Sequence, residues 1–135
     1  MMISGSCHCG NIKYQLATTL PQDALSYREC SCSFCSRLSA IYTSDPEGTL
    51  NIEISEPSQV SSYRFASKLV DFVFCATCGI MPVAQIEIDD QRYGVINLRT
   101  TNLDLKAVNI TKLKIAGESI EASIARRRQK WTPIL

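Results

Sequence analysis

The chain has 135 residues, 45% of them hydrophobic and 20% charged, which suits one domain of ordinary size with enough apolar material for a core. Fourteen Lys+Arg against 13 Asp+Glu leave a formal net charge of +1, so no long-range field favours nucleic acid or an acidic membrane. Apolar runs are cut by charges or cysteines well before the roughly 20 residues a bilayer needs, and Met1-Met2-Ile3-Ser4-Gly5 lacks the basic stretch and apolar core of a secretory signal. The expectation is a soluble, cytoplasmic protein that makes no use of a membrane.

Along the chain, apolar and polar residues mostly alternate with the period of half-buried strands. Ile12, Tyr14 and Leu16 interleave with Lys13 and Gln15. Pro21-Gln22-Asp23 is a loop signal, as are Asp45-Pro46-Glu47-Gly48 and Glu56-Pro57-Ser58, because Pro, Gly and Asp break regular structure. Leu50, Ile52 and Ile54 alternate with Asn51, Glu53 and Ser55 between the last two. Residues 63–65, 70–74, 83–88 and 93–98 also read as strands, with Asp89-Asp90-Gln91 turning a hairpin between the last pair. One helix is expected, over residues 118–131, where Ile120, Ile124 and Lys130-Trp131 share a face and Pro133 ends the element. Strands joined by short turns leave no room for crossover helices, so one mostly antiparallel β domain is expected over residues 1–135.

The seven cysteines fall short of the roughly 8–10% that marks a secreted disulfide scaffold, and an odd number cannot all pair. They form three groups: Cys7 and Cys9 in Cys-His-Cys-Gly, Cys30, Cys32 and Cys35 in Cys-Ser-Cys-Ser-Phe-Cys, and Cys75 and Cys78 in Cys-Ala-Thr-Cys-Gly. The first and last groups run into Gly10 and Gly79, as a tight knuckle needs when its chain adopts a positive φ and its N–H groups approach sulfur. This suggests a closed zinc site of Cys7, Cys9, Cys75 and Cys78 that serves folding. Cys30, Cys32 and Cys35 then offer three thiolates to a second, catalytic zinc with an open position. Reduced cysteines on buried strands are the plainer reading of the first set. For the triplet the alternatives are one disulfide plus a spare thiol, adventitious metal binding, or the loan of one ligand to another zinc. Cys7 and Cys9 could also join two of the middle cysteines; closing the longer loop favours the pairing given first.

These residues resemble the glutathione-dependent formaldehyde-activating enzymes, a family that includes the centromere protein V relatives. The matching pieces are Gly5-Ser6-Cys7-His8-Cys9-Gly10, Cys30-Ser31-Cys32-Ser33-Phe34-Cys35-Ser36-Arg37 and Phe74-Cys75-Ala76-Thr77-Cys78-Gly79, in the family's order and spacing. The resemblance implies twisted, stacked antiparallel sheets around zinc, similar to methionine-R-sulfoxide reductases and a zinc chaperone of Rab GTPases. It implies the same division of ligands, four structural and three catalytic. The activity implied is the making and breaking of carbon–sulfur bonds, as in joining glutathione to formaldehyde. The chain departs from the family pattern at Ser31, where His is common, and at Ala40, where Gly is common. The closing His-Ile-Trp-like segment has only an echo that ends at Trp131. These differences bear on the substrate rather than on the metal ligands.

An open three-thiolate zinc can hold an incoming thiol as thiolate and present it to a small carbonyl carbon. The nucleophile would then come from the substrate, which suits a chain whose one histidine, His8, lies between two ligands and is expected to point away from them on an extended strand. Arg37, beside the open position, either meets a thiol's carboxylate or is a surface residue without a partner; Phe34 and Tyr42 read as core. The competing function is a non-catalytic zinc scaffold or protein-interaction module. Its best feature is the run Arg126-Arg127-Arg128-Gln129-Lys130, which otherwise reads as a solvated last helical turn suited to the helix dipole. A methionine sulfoxide reductase would need a reactive, metal-free cysteine late in the chain, and no Cys follows Cys78.

Overall fold

The computed structural model describes the backbone of residues 1–135 and every side chain but that of Ala107. Strands dominate, in two stacked sheets. β1 (Met2–Ser6), β2 (Ile12–Ala17) and β5 (Thr49–Ile54) form a small antiparallel sheet in the order β1-β2-β5. The larger sheet runs β10 (Ile110–Leu113), β3 (Ser26–Cys30), β4 (Ile41–Ser44), β9 (Gln91–Asn97), β8 (Val83–Ile88), β7 (Val70–Cys75) and β6 (Val60–Tyr63), and β11 (Thr132–Pro133) also pairs with β9. Two α-helices accompany the sheets among the described residues, α1 (Ser33–Leu38) and α2 (Ile120–Lys130). None is long and apolar enough to cross a membrane.

The alternating segments fold as strands, and their boundaries shift where pairing decides them. Gln91 belongs to β9, paired with Ile88, so the hairpin turns on Asp89 and Asp90 alone. Both have positive φ, as a two-residue turn matched to strand twist requires. The strand expected at 63–65 ends at Tyr63. The late helix runs over Ile120–Lys130 within the expected 118–131, and beyond it Thr132 and Pro133 pair with Gly94 and Tyr93. Pairing is antiparallel throughout the named strands except between β10 and β3, which run parallel.

The expected single helix has a companion: α1 is only six residues long and carries Cys35. Too short for apolar periodicity, it is set by its ends. Cys32 caps it by accepting from the Cys35 N–H, and Ser39 closes it in a left-handed conformation.

The larger sheet buries both faces. Along β7, Val73 and Cys75 join a core between the sheets with Ile3, Ile12, Tyr14, Leu16 and Leu50. Val70, Phe72 and Phe74 face a second core with Tyr42, Ala84, Val95 and Trp131, against which Ile124 of α2 and Phe34 of α1 pack. This explains why β4 is buried at every position and shows no alternation of apolar with polar residues. It also puts Cys7 and Cys75 in the core between the sheets and Cys35 in the core beneath the helices.

Within the small sheet, Gly5 of β1 pairs directly with Tyr14 of β2. The Tyr14 hydroxyl hydrogen-bonds Thr100 Oγ1 at 2.8 Å, and a Cβ at Gly5 would collide with the Tyr14 ring and the Thr100 carbonyl. Gly5→Ala is therefore expected to destabilise the fold by about 1–3 kcal/mol through overpacking. Denaturant unfolding checks this, and an unchanged midpoint would contradict it.

Candidate functional site

Two turns build the first cysteine group, and they hydrogen-bond alike. The Cys7 N–H donates to the Ile12 carbonyl and the Cys75 N–H to the Ile80 carbonyl, both at 2.9 Å. Gly10 (φ 85) and Gly79 (φ 77) take the positive φ that lets each chain double back. The turns meet so that one sulfur from each of Cys7, Cys9, Cys75 and Cys78 lies within 4.8 Å of the others. Cys7 Sγ is 3.8 Å from Cys9 Sγ, which is 3.5 Å from Cys75 Sγ. Four thiolates about 2.3 Å from one zinc stand about 3.8 Å apart, so this donor set fits a tetrahedral metal. Backbone donors reach the sulfurs: the Ile12 N–H lies 3.3 Å from Cys7 Sγ. Burial pushes the Cys78 thiol up, but the Cys9 and Ile80 N–H groups and the Cys75 and Cys7 thiols outweigh it and bring Cys78 down to about 6.

The second group lies on the other face of the larger sheet. Cys30 ends β3, Cys32 caps α1, and Cys35 sits one turn into that helix; their sulfurs also lie within 4.8 Å of one another. The hydrogen bond from Cys35 draws the Cys30 thiol down to about 5 against the effect of its burial, with further help from the Cys32 N–H. Cys35 moves the opposite way, because the same bond and its burial hold its proton. Tyr42 Oη lies 3.2 Å from Cys35 Sγ, and burial above all keeps the Tyr42 phenol protonated.

This triplet lines a cleft of about 560 Å³. One wall is aromatic: Phe65 and Phe72 face the cleft and belong to a cluster with Phe34 and Tyr63, in which Phe34 and Phe72 are the nearest pair at 4.7 Å between ring centroids. The other wall is α2 with its N-cap, which contribute Ser119, Ile120, Ser123 and Arg127.

Each candidate residue now has a place. The cysteines divide four and three, and Cys7 and Cys9 group with Cys75 and Cys78 rather than with the middle set. His8 is exposed, on a turn rather than on the expected strand, since β1 ends at Ser6. Arg37 is exposed and donates back to the Ser33 carbonyl at 2.6 Å, away from the cleft lining. Tyr42 is core as expected, and its contact with Cys35 was not evident from sequence spacing.

The basic run does not form one solvated face. Arg126 pairs with Glu118 through two bonds of 3.0 and 3.1 Å. Arg128 meets Asp89 at 2.8 Å, while Arg127 lies on the cleft wall with its guanidinium 5.4 Å from the centre of the Trp131 ring. Helical spacing of about 100° per residue sends three consecutive arginines in three directions, which a count of basic residues conceals.

Comparison with known proteins gives two matches. Residues 2–115 match the family described as glutathione-dependent formaldehyde-activating enzyme. A crystal structure of a Rhodobacter sphaeroides protein, a structural-genomics target, is similar at 26% identity with a TM-score of 0.60, covering 80% of this chain and 99% of that one. No curated protein matches significantly.

Proposed function

Because the chain belongs to the glutathione-dependent formaldehyde-activating enzyme family, we propose that it is a zinc-dependent carbon–sulfur lyase acting on the adduct of a small-molecule thiol, such as glutathione, with a small aldehyde. The observation that carries this reading is the contrast between the cysteine groups. Four donors close a tetrahedron, whereas three donors lining a cleft leave one coordination position for a substrate. Cys7, Cys9, Cys75 and Cys78 are then ligands of a structural zinc, and Cys30, Cys32 and Cys35 ligands of a catalytic one. When bound there, zinc supplies Lewis acidity and holds a substrate sulfur as thiolate.

The chain's own residues do the rest. Cys30 takes negative charge readily, and the Tyr42 hydroxyl, 3.2 Å from Cys35 Sγ, would donate to that sulfur once it is a thiolate. Phe65 and Phe72 keep water from the apolar side of the cleft. In the cleaving direction the carbon–sulfur bond breaks with its electron pair going to sulfur. The adduct's O–H electrons become the second carbon–oxygen bond, and the released proton ends on the thiolate. No protein nucleophile is required, which suits a cleft whose one carboxylate, Glu118, is held by Arg126. The reduced thiols this chemistry needs fit a reducing compartment such as the cytoplasm.

Native mass spectrometry of anaerobically purified protein tests the reading. Two zinc ions per chain, and a further mass of one glutathione when that thiol is added, are expected. One zinc and no adduct would point instead to a non-catalytic zinc scaffold.

A further inference from the structure

The triplet cleft adjoins a second recess lined by Arg28, Arg126 and Arg127 together with Cys30, Cys35 and Tyr42. Across both recesses three guanidinium groups face one carboxylate, Glu118. Arg126 and Glu118 satisfy each other. Arg28 is engaged by the Ser26 carbonyl and by Ser44 Oγ, the latter at 2.7 Å. Arg127 lies on the cleft wall, and its Nε is a buried nitrogen with no hydrogen-bond partner, the one such side-chain atom among the described residues. The Trp131 ring supports the guanidinium. Arg127 forms none of the salt bridges found among the described residues.

A buried donor without an acceptor is costly, and a guanidinium fork matches the two oxygens of a carboxylate. The charges point the same way. Three thiolates around a divalent cation carry one net negative charge, which leaves one of the two uncompensated guanidinium charges unmatched. The matched family region ends at residue 115, and α2, with Arg127 on it, lies beyond that region.

We propose that Arg127 selects thiols that carry a carboxylate, gripping it on the α2 side of the cleft while the sulfur lies over Cys30, Cys32 and Cys35. This rests on the thiol-handling reading above and adds the class of thiol and the residue that chooses it. Arg127 is a specificity residue, since the reacting carbon and sulfur stay with the triplet.

The test is calorimetric binding to the zinc-loaded protein of three probes: 3-mercaptopropionate, its methyl ester, and 3-(methylthio)propionate, which keeps the carboxylate but has no free thiol. The wild type is expected to bind the acid about tenfold more tightly than the ester, which is about 1.4 kcal/mol from a charge-assisted pair on Arg127. In Arg127→Gln the acid and ester should bind alike, with the ester's affinity and the zinc content unchanged; Arg127→Lys should keep part of the preference. Equal affinity of the wild type for acid and ester overturns the proposal without recourse to a variant. So does a preference that survives in Arg127→Gln, or a loss of acid and ester binding together. If neither thiol binds but 3-(methylthio)propionate does, dependent on Arg127, the lyase reading fails and the carboxylate site stands. Binding of none of the three overturns both.

Discussion

Cys30→Ala is expected to reduce adduct turnover by more than the roughly 10–100-fold that changes in a metal's outer shell cost, and to leave thermal unfolding within a few degrees of wild type. On the proposed reading the substitution removes one of the three donors that would hold the second zinc, so the zinc count should fall from two per chain to one. It also removes the thiol that the hydrogen bond from Cys35 draws down to about 5. The fold has little reason to respond. Cys30 is half-buried at the end of β3, and its main-chain pairing with Leu113 of β10 does not depend on the side chain. Turnover of S-hydroxymethylglutathione, metal analysis and a melting curve decide the matter together. Full turnover in the variant would remove Cys30, and with it the triplet, from the chemistry.

Cys7→Ser should do the reverse and take the fold with it. Cys7 is 1% exposed, its sulfur accepts from the Ile12 N–H, and its turn meets the Cys75 turn from the far end of β7. Four thiolates shared by segments so distant in sequence close a long loop, and a structural zinc site is worth about 10–16 kcal/mol in small zinc-folded peptides. That is of the same order as the roughly 5–15 kcal/mol net stability of a whole domain, so losing the site removes most or all of the margin that keeps the chain folded. The expected result is loss of the cooperative melting transition and of both zinc ions, and the same loss in wild type under a strong chelator. A Cys7→Ser chain that melts near the wild-type temperature would show that the two sheets hold without the metal. The two substitutions also check each other: if Cys30→Ala unfolds the chain and Cys7→Ser spares it, the structural and catalytic assignments are exchanged.

What the sequence determined by itself is local. Alternation marked β2, β5, β7, β8 and β9 because one residue's side chain points opposite to its neighbour's whatever the rest of the chain does. Gly10 and Gly79 foretold the positive φ of both turns because a tight reversal beside a donor sulfur leaves little room for a Cβ. The cysteine spacings marked three local groups, with Gly10 and Gly79 favouring a division into four and three, and the three motifs carried the family resemblance, since ligand spacing in a turn is itself a short-range geometric constraint.

Only the tertiary structure decided the rest. It buried β4 on both faces, which erased its alternation, and it added β10 in parallel to β3 across a sequence separation that no local pattern signals. It set the six-residue α1 through caps rather than periodicity and so put Cys35 against Tyr42. It also divided three consecutive arginines among Glu118, the cleft and Asp89. In each of these cases the deciding partner is distant in sequence, so the energy that selects the arrangement exists only once the sheets and α2 have packed.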